Sequence, residues 1–420
     1  MKEQLIEVAV FAPLRNRFCY RSALTDERSS VRTGQMVRVP FGKSSRMGVI
    51  TAVDPESPQF QGELKAISEF CDPEPVFDAQ DLALGQWAAN YYHHPLGEVL
   101  AAMLPSLVRQ RGRRVINQRV TWHLANSEVA SKVSPRAKRQ HELLQFIGPD
   151  GVAEDTLAAL EFDWRRPLRE LSSRGLLTKQ VENLCTEDAS DPIAQFRPAP
   201  LNDEQQNIVA SLLSGDASFT PSLLHGVTGS GKTNVYIGLI AGLLERGGQA
   251  LLLLPEIAIT QQLVDRFESS FGDCVAVSHS GLGDKRRAQV WTQFKQGKIK
   301  ILLGTRSAVW VSARDLRCII VDEEHDPSYK QLEGFRYHAR DVAVYRASRL
   351  KIPVVLGSAT PSFESYRNAK NGKYRLHTLP NRATGATIPA LHIEDVRSLK
   401  LQAGLSQRLI AAIRDRLARE

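Results

Sequence analysis

The sequence predicts an α/β protein in which a parallel-sheet lobe follows a small β-rich domain and a winged-helix-like module. Three observations predict it. Apolar runs of strand length recur at 223–225, 250–254, 275–278, 299–303, 318–321 and 354–356, and helical stretches at 235–246, 260–271, 285–295 and 340–349 separate most of them. Continuous apolar strands alternating with helices mean a parallel sheet covered on both faces. The opening segment shows short runs of alternating apolar and polar residues with turn signals between them. The middle segment reads as mostly helical.

Residues 1 to about 105 form the β-rich domain, with strands at 5–11, 35–40 and 46–53. Turns are expected at Thr33-Gly34 and Phe41-Gly42, and a helix at 78–92 carries Leu82, Leu84, Trp87, Ala88 and Tyr91. Residues 106–196 follow, with short helices near 135–147, 151–160 and 164–174, then a helix stop at Arg174-Gly175 leading into a strand. That order fits a winged-helix module, and a plain helical spacer fits it too. The basic run at 109–114 is either a set of phosphate contacts or, more commonly for such runs, a solvated linker. Pro192, Pro198 and Pro200 mark a linker over 188–200. The parallel-sheet lobe spans 197–400, and 401–420 begins a connection with an amphipathic helix capped by Ser406.

Composition narrows the class. Hydrophobic residues make up 42% and charged residues 24% of the 420, as in ordinary soluble proteins. No apolar run approaches the roughly 20 residues of a membrane span, so no membrane partner is expected. The first residues lack the pattern of a secretory signal, and a cytoplasmic location is expected. The net charge of +8 favours a polyanionic partner, though a basic enzyme without one has the same balance. The five cysteines include no C-x-x-C pair, so this chain offers no zinc-ribbon ligands.

The chemistry-bearing motifs lie in the lobe. GVTGSGKT at 226–233 matches the phosphate-loop pattern, after a strand and before a helix. Gly226, Gly229, Ser230 and Gly231 are expected to curl backbone N–H groups around phosphate oxygens, with the helix N-terminus adding positive potential. Lys232 would reach the β and γ phosphates of ATP, and Thr233 would offer its hydroxyl to Mg²⁺. A second apolar strand ends in Asp322, Glu323, Glu324 and His325. Strand ends of this kind meet at the ligand crevice of parallel sheets. Asp322 is expected to hold Mg²⁺, largely through water, and Glu323 to deprotonate the attacking water.

These motifs, with LPEIAIT at 254–260, SHSGL at 278–282, GTRSA at 304–308, DEEHDPSYKQLEGFRYHARDVAVYRA at 322–347 and GSATPS at 357–362, resemble the first lobe of superfamily 2 DExH-box helicases. Together with VRVPFGK, ELKAI and YYHHPLGEVL nearer the start, they resemble one branch, the primosomal replication-restart helicases. The resemblance implies a RecA-like lobe and a bacterial DNA-dependent ATPase moving 3′ to 5′. Its partners would be stalled forks, D-loops and DNA 3′ ends, with primosome loading proteins and single-strand binding protein. Gln205 would read adenine, and His325 would couple the nucleotide site to DNA through Ser358 and Thr360.

For DNA itself, the resemblance points to Phe18 as a stacking residue for a 3′-terminal nucleotide, with Cys19 where the family usually has Asp. Lys65 would meet phosphate. Thr305 and Arg306 belong to a DNA-facing motif, and Tyr329, Phe335, Arg336 and Tyr337 to an aromatic-rich loop that would stack on bases or couple DNA binding to ATP hydrolysis; the alternative for Phe335 and Tyr337 is packing under the sheet. The family continues into a second motor lobe with an arginine finger and into two structural zinc sites, for which this chain has no ligands. The chain alone is therefore expected to bind nucleotide and DNA but to hydrolyse slowly and not unwind. A fork-binding module with a vestigial nucleotide site, and another superfamily 2 translocase, are the alternatives.

Overall fold

The computed structural model describes residues 4–419 except 23–30, 56–63, 113–117, 127–128, 130–132, 136, 150, 154–155, 158–159, 161, 184–199, 215–218 and 383–391. Most of the proline-rich 188–200 stretch and part of the basic 109–114 run therefore lie outside the described residues.

The first sheet is antiparallel. β1 (Gln4–Val10) pairs with β2 (Phe18–Ser22) on one side and β4 (Ser44–Val53) on the other. β3 (Met36–Phe41) joins β4 through the turn at Gly42, and β5 (Glu69–Phe70) completes the order β2-β1-β4-β3-β5. Gly42, at φ 59°, adopts a left-handed conformation that favours glycine. α1 (Ala79–Tyr91) follows, capped by Asp78, whose carboxylate accepts from the Asp81 N–H. α2 (Leu96–Ala102) and α3 (Ser106–Arg111) lead away from it.

The middle segment departs from its expected helicity. β6 (Gln118–Leu124) precedes α4 (Lys138–Ile147), and the stretch expected as a helix from 151 opens instead as β7 (Val152–Ala153). α5 (Arg165–Ser173) then runs into β8 (Leu177–Asn183). The strands form the antiparallel sheet β7-β6-β8, whose core joins Trp122 to Leu143, Ile147, Leu168 and Leu171 of the two helices.

α6 (Asp203–Leu213) opens the lobe. Its sheet is parallel throughout, in the order β11-β12-β10-β13-β14-β9-β15, with β9 (Ser222–Gly226), β10 (Gln249–Leu253), β11 (Val275–Ser278), β12 (Ile301–Gly304), β13 (Leu316–Val321), β14 (Val354–Ser358) and β15 (Arg375–Leu379). Successive side chains on a strand point to opposite faces. Thus Leu252, Leu303, Ile320 and Val355 pack with Val235, Ile240 and Phe267 of α7 (Lys232–Leu244) and α8 (Gln261–Phe271). Leu253, Leu302, Ile319 and Leu356 pack on the other face with α9 (Asp284–Lys295) and α10 (Ala339–Leu350). α11 (Phe363–Lys370) precedes β15, and α12 (Gln407–Leu417) has the expected Ser406 cap, which accepts from the Leu409 N–H at 3.2 Å. No helix among the described residues is long and apolar enough to cross a membrane.

The first domain is fastened to the lobe. Leu84, Ala88, Val99 and Leu100 belong to the same continuous core as Ile319, Val342 and Ala347. The Trp87 ring lies parallel to Tyr345 with centroids 3.7 Å apart. Lys295 Nζ donates to the carbonyls of Pro75, at 2.9 Å, and Val76. Arg346 is buried and donates to the carbonyls of Val309 and Val311 at 2.8 and 2.9 Å. Burial pushes the Asp81 carboxyl up, and the positive charge of Arg346 opposes that rise. Replacing Arg346 with Met removes both hydrogen bonds and leaves Asp81 less compensated. The expected loss in a denaturant melt is about 3–5 kcal/mol; a loss under about 1 kcal/mol would show that other contacts hold the joint.

Candidate active site

β9 delivers the phosphate loop to the carboxyl edge of the sheet, and α7 begins at Lys232. Gly229 and Gly231 sit at φ 80° and 85°, where a side chain would strain the backbone. A Cβ at Gly226 would lie 2.5 Å from Ser230 Oγ and 3.1 Å from Lys232 Cγ, so the loop closes only around a glycine. Ser230 is buried and its Oγ has no hydrogen-bond partner, a polar atom left unmet inside the loop. Gln205, expected to read adenine, is tied to the loop by its own amide. Its Nε2 donates to the Ser230 carbonyl at 3.2 Å, and its Oε1 accepts from the Asn202 N–H at 3.2 Å within a helix cap. Buried and bonded at both ends of its amide, it braces the loop from beneath.

The strand next but one, β13, ends at Asp322. Tyr236 lies one helical turn after Lys232, and its hydroxyl donates to Asp322 Oδ1 at 2.8 Å. Gly357 makes room for this pair: a Cβ there would sit 1.7 Å from the Tyr236 oxygen. Tyr329 donates to the Asp322 carbonyl at 2.6 Å. Burial raises the Asp322 carboxyl above the usual range, while the Tyr236 hydrogen bond and Lys232 pull it back. Glu323 has φ 43°, a left-handed conformation costly for a residue with a side chain. That turn aims its carboxylate back at the loop, 3.5 Å from Lys232 Nζ and 3.6 Å from His325 Nδ1. Lys232 also donates to the Gly226 carbonyl at 3.1 Å.

His325 continues the chain of contacts. Its Nδ1 lies 2.8 Å from Ser358 Oγ and its Nε2 3.3 Å from Thr360 Oγ1. Lys232, Asp322, Glu323 and His325 thus converge, with Thr233 in the first turn of α7. Sequence reasoning passed over Glu324. It is wholly buried and accepts from Arg340 Nη1 at 2.9 Å, the Ser362 N–H at 2.7 Å and Ser365 Oγ at 2.9 Å. One carboxylate thereby ties the acidic box to the starts of α10 and α11. Tyr236 was also missed, although its spacing from Lys232 places it on the same helix face.

The expected DNA-contacting residues are dispersed. Phe18 is half-buried, edge-on to Phe41 at 5.2 Å, and Cys19 is buried, its thiol pushed up by burial and by Glu7. Lys65 is exposed beside β2, its carbonyl accepting from the Arg21 N–H at 2.9 Å. Thr305 is nearly buried, and Arg306 Nη1 donates to the carbonyls of Ser328 and Lys330, both at 3.0 Å. Tyr329 and Tyr337 require correction as base-stacking residues: both are buried. Tyr337 packs on Trp310 at 5.0 Å and on Phe335 at 5.1 Å. Tyr329 is held within the lobe by its bond to the Asp322 carbonyl, and Tyr337 by Trp310 and Phe335, the last covered in turn by Tyr92 and His94 of the first domain at 5.8 and 5.1 Å. Arg336 remains exposed on the same loop.

The unmet Ser230 hydroxyl, the glycine-dependent cradle and the nearby carboxylates suit a triphosphate with Mg²⁺. Tyr236→Phe deletes one hydrogen bond to Asp322 and little else. It should weaken Mg²⁺-nucleotide binding about tenfold, a hydrogen bond to a charged group being worth about 1.5–3 kcal/mol. A fluorescent-nucleotide titration with unchanged affinity would show that Asp322 is held by other means.

Known proteins match most of the chain. A model of the PriA 3′DNA-binding domain matches residues 7–105, and a DEAD/DEAH box helicase model matches residues 202–369. The replication restart protein PriA of Haemophilus influenzae is 35% identical over 99% of this chain and 57% of its own length. That of Bacillus subtilis is 30% identical, covering 88% of this chain and 54% of the relative. That of Chlamydia pneumoniae is 37% identical, covering 82% and 48%. The chain thus spans about half the length of the curated relatives it matches. With matches to a 3′DNA-binding domain and to a DEAD/DEAH box helicase in one polypeptide, the chain is similar over nearly its whole length to about half of the replication restart protein PriA.

Proposed function

We propose that these residues form the DNA-recognition part and first motor lobe of an ATP-dependent 3′-to-5′ DNA helicase of replication restart, acting in the cytoplasm. It recognises stalled forks and D-loops and begins primosome assembly with loading proteins and single-strand binding protein. The observation that carries the proposal is the convergence of Lys232, Glu323 and His325 within 3.6 Å steps, beside Asp322, at one sheet edge.

Each residue has a task. Lys232 meets the phosphates, its ammonium already drawn into the loop by the Gly226 carbonyl. Thr233 and Asp322 hold Mg²⁺, with Tyr236 fixing the Asp322 carboxylate. Mg²⁺ when bound neutralises charge on the phosphate oxygens. Glu323 accepts a proton at its carboxylate from the attacking water. His325 passes the state of Glu323 to Ser358 and Thr360, at the start of the segment leading into α11. On the DNA side, Phe18 stacks on the 3′-terminal nucleotide, while Lys65 and Arg336 meet phosphates.

Lys232→Ala tests the partition of these tasks. It should weaken nucleotide binding by about 100-fold or more, a loss of roughly 3 kcal/mol, and abolish DNA-stimulated phosphate release. Fork binding, followed by fluorescence anisotropy, should stay within about twofold, because the contacts of Lys232 among the described residues, to Gly226 and Glu323, lie within the lobe. Equal loss of both would sink the assignment of nucleotide and DNA to separate surfaces.

A further inference from the structure

We infer a second DNA contact in the first domain: a cleft between the β1–β2 loop and the corner of α1 and α2 that takes one phosphodiester of single-stranded DNA. The inference rests on the proposed function and names part of its DNA path. The cleft, about 380 Å³, is lined by Arg15, Arg17, Gln86, Asn90, His93 and His94.

Close backbone packing shapes it. A Cβ at Gly97 would lie 1.8 Å from the Val10 carbonyl, so the start of α2 presses on the exit of β1. The loop leaving β1 is thereby laid over the helix corner. Arg15 Nη2 donates to the His93 carbonyl at 3.3 Å, and Arg17 donates to Gln86 Oε1 on α1. Gln86 in turn donates to Asn90 Oδ1 at 3.1 Å. His93 is held at φ 52°, a left-handed turn that brings its carbonyl to Arg15.

The charges select the ligand. Arg17 is answered by Glu7 at 2.8 Å, and His94 lies 2.9 Å from Glu98. Arg15 has no carboxylate partner among the described residues; it donates to a backbone carbonyl. One uncompensated guanidinium beside side-chain amides suits a group with a single negative charge and only acceptor oxygens, which describes a phosphodiester. The location points to single-stranded DNA. Arg17 directly precedes Phe18, and on the other wall His94 packs against Phe335 at 5.1 Å, beside exposed Arg336. A strand leaving Phe18 crosses the cleft on its way to the motor lobe.

The test uses the 420-residue chain and a fluorescent fork whose 3′ strand carries one neutral methylphosphonate linkage, moved stepwise inward from the 3′ end. Arg15→Gln keeps a donor for the His93 carbonyl but removes the charge; Asn90→Asp adds an opposing charge. Both should retain nucleotide binding, which reports that they fold. Arg15→Gln should weaken fork binding about tenfold and lower the slope of log affinity against log salt by about 0.7, and Asn90→Asp should weaken it at least as much. At one linkage, the methylphosphonate that weakens wild-type binding should cost Arg15→Gln nothing further. Wild-type affinity and slope in both variants, or a full penalty at every linkage in Arg15→Gln, would overturn the cleft while leaving the wider reading intact. A wild-type chain that binds no fork overturns the wider reading, and the cleft with it.

Discussion

The hydrogen bond from Tyr236 to Asp322 is the contact on which the geometry of the proposed site depends. It crosses from the helix behind the phosphate loop to the end of β13, and so fixes the distance between the phosphate-binding and acidic halves of the site. Gly357 permits it, since any side chain there would occupy the tyrosine's oxygen position. Once Asp322 is held, the chain turns sharply at Glu323, and the left-handed backbone there sends consecutive carboxylates to different tasks. Glu323 turns toward Lys232. Glu324 turns inward to gather Arg340, Ser362 and Ser365. Strain at Glu323 is sustained because buried contacts on either side of it determine the path of the chain.

A second constraint is the joint between the first domain and the lobe. The segment after the acidic box leaves Asp322 through Tyr329 and reaches the first domain at Tyr92, whose hydroxyl accepts from the His338 N–H at 3.2 Å. Tyr92 is half-buried, and that burial pushes its phenol up to about 12. In the proposed reading, movement at the nucleotide site has a packed route to the 3′-end-binding domain. That route consists of aromatic rings and main-chain hydrogen bonds, which rearrange together or not at all.

The sequence was most legible where one physical pattern dominates. Strands β9, β10, β12, β13 and β14 are buried on both faces, so they appear as largely unbroken apolar runs. The phosphate loop and acidic box are local motifs whose positions follow from the strand that each one ends. β2, β6 and β15 were not foreseen. β2 is short and mixed, β6 follows a basic run and has polar residues at alternate positions, and β15 lies at a sheet edge. Tyr329 and Tyr337 sit in a polar segment and look like surface aromatics; contacts with the Asp322 carbonyl, Trp310 and Phe335, distant in sequence or hidden in the same loop, bury them. Glu324 and Glu323 are adjacent and chemically alike, so nothing in the sequence separates a buried anchor from a group facing the phosphate loop.

The central claim is that Lys232, Thr233, Asp322 and Glu323 surround one metal-bound triphosphate. The most direct measurement is a crystal structure with Mn²⁺ and a non-hydrolysable ATP analogue, using anomalous scattering to locate the metal. The account predicts a single Mn²⁺ peak bonded to the Thr233 hydroxyl, with Asp322 reaching it directly or through water. Lys232 should lie on the phosphates and Glu323 beside the terminal one. A metal or triphosphate bound elsewhere, with Thr233 and Asp322 both apart from it, would contradict the account.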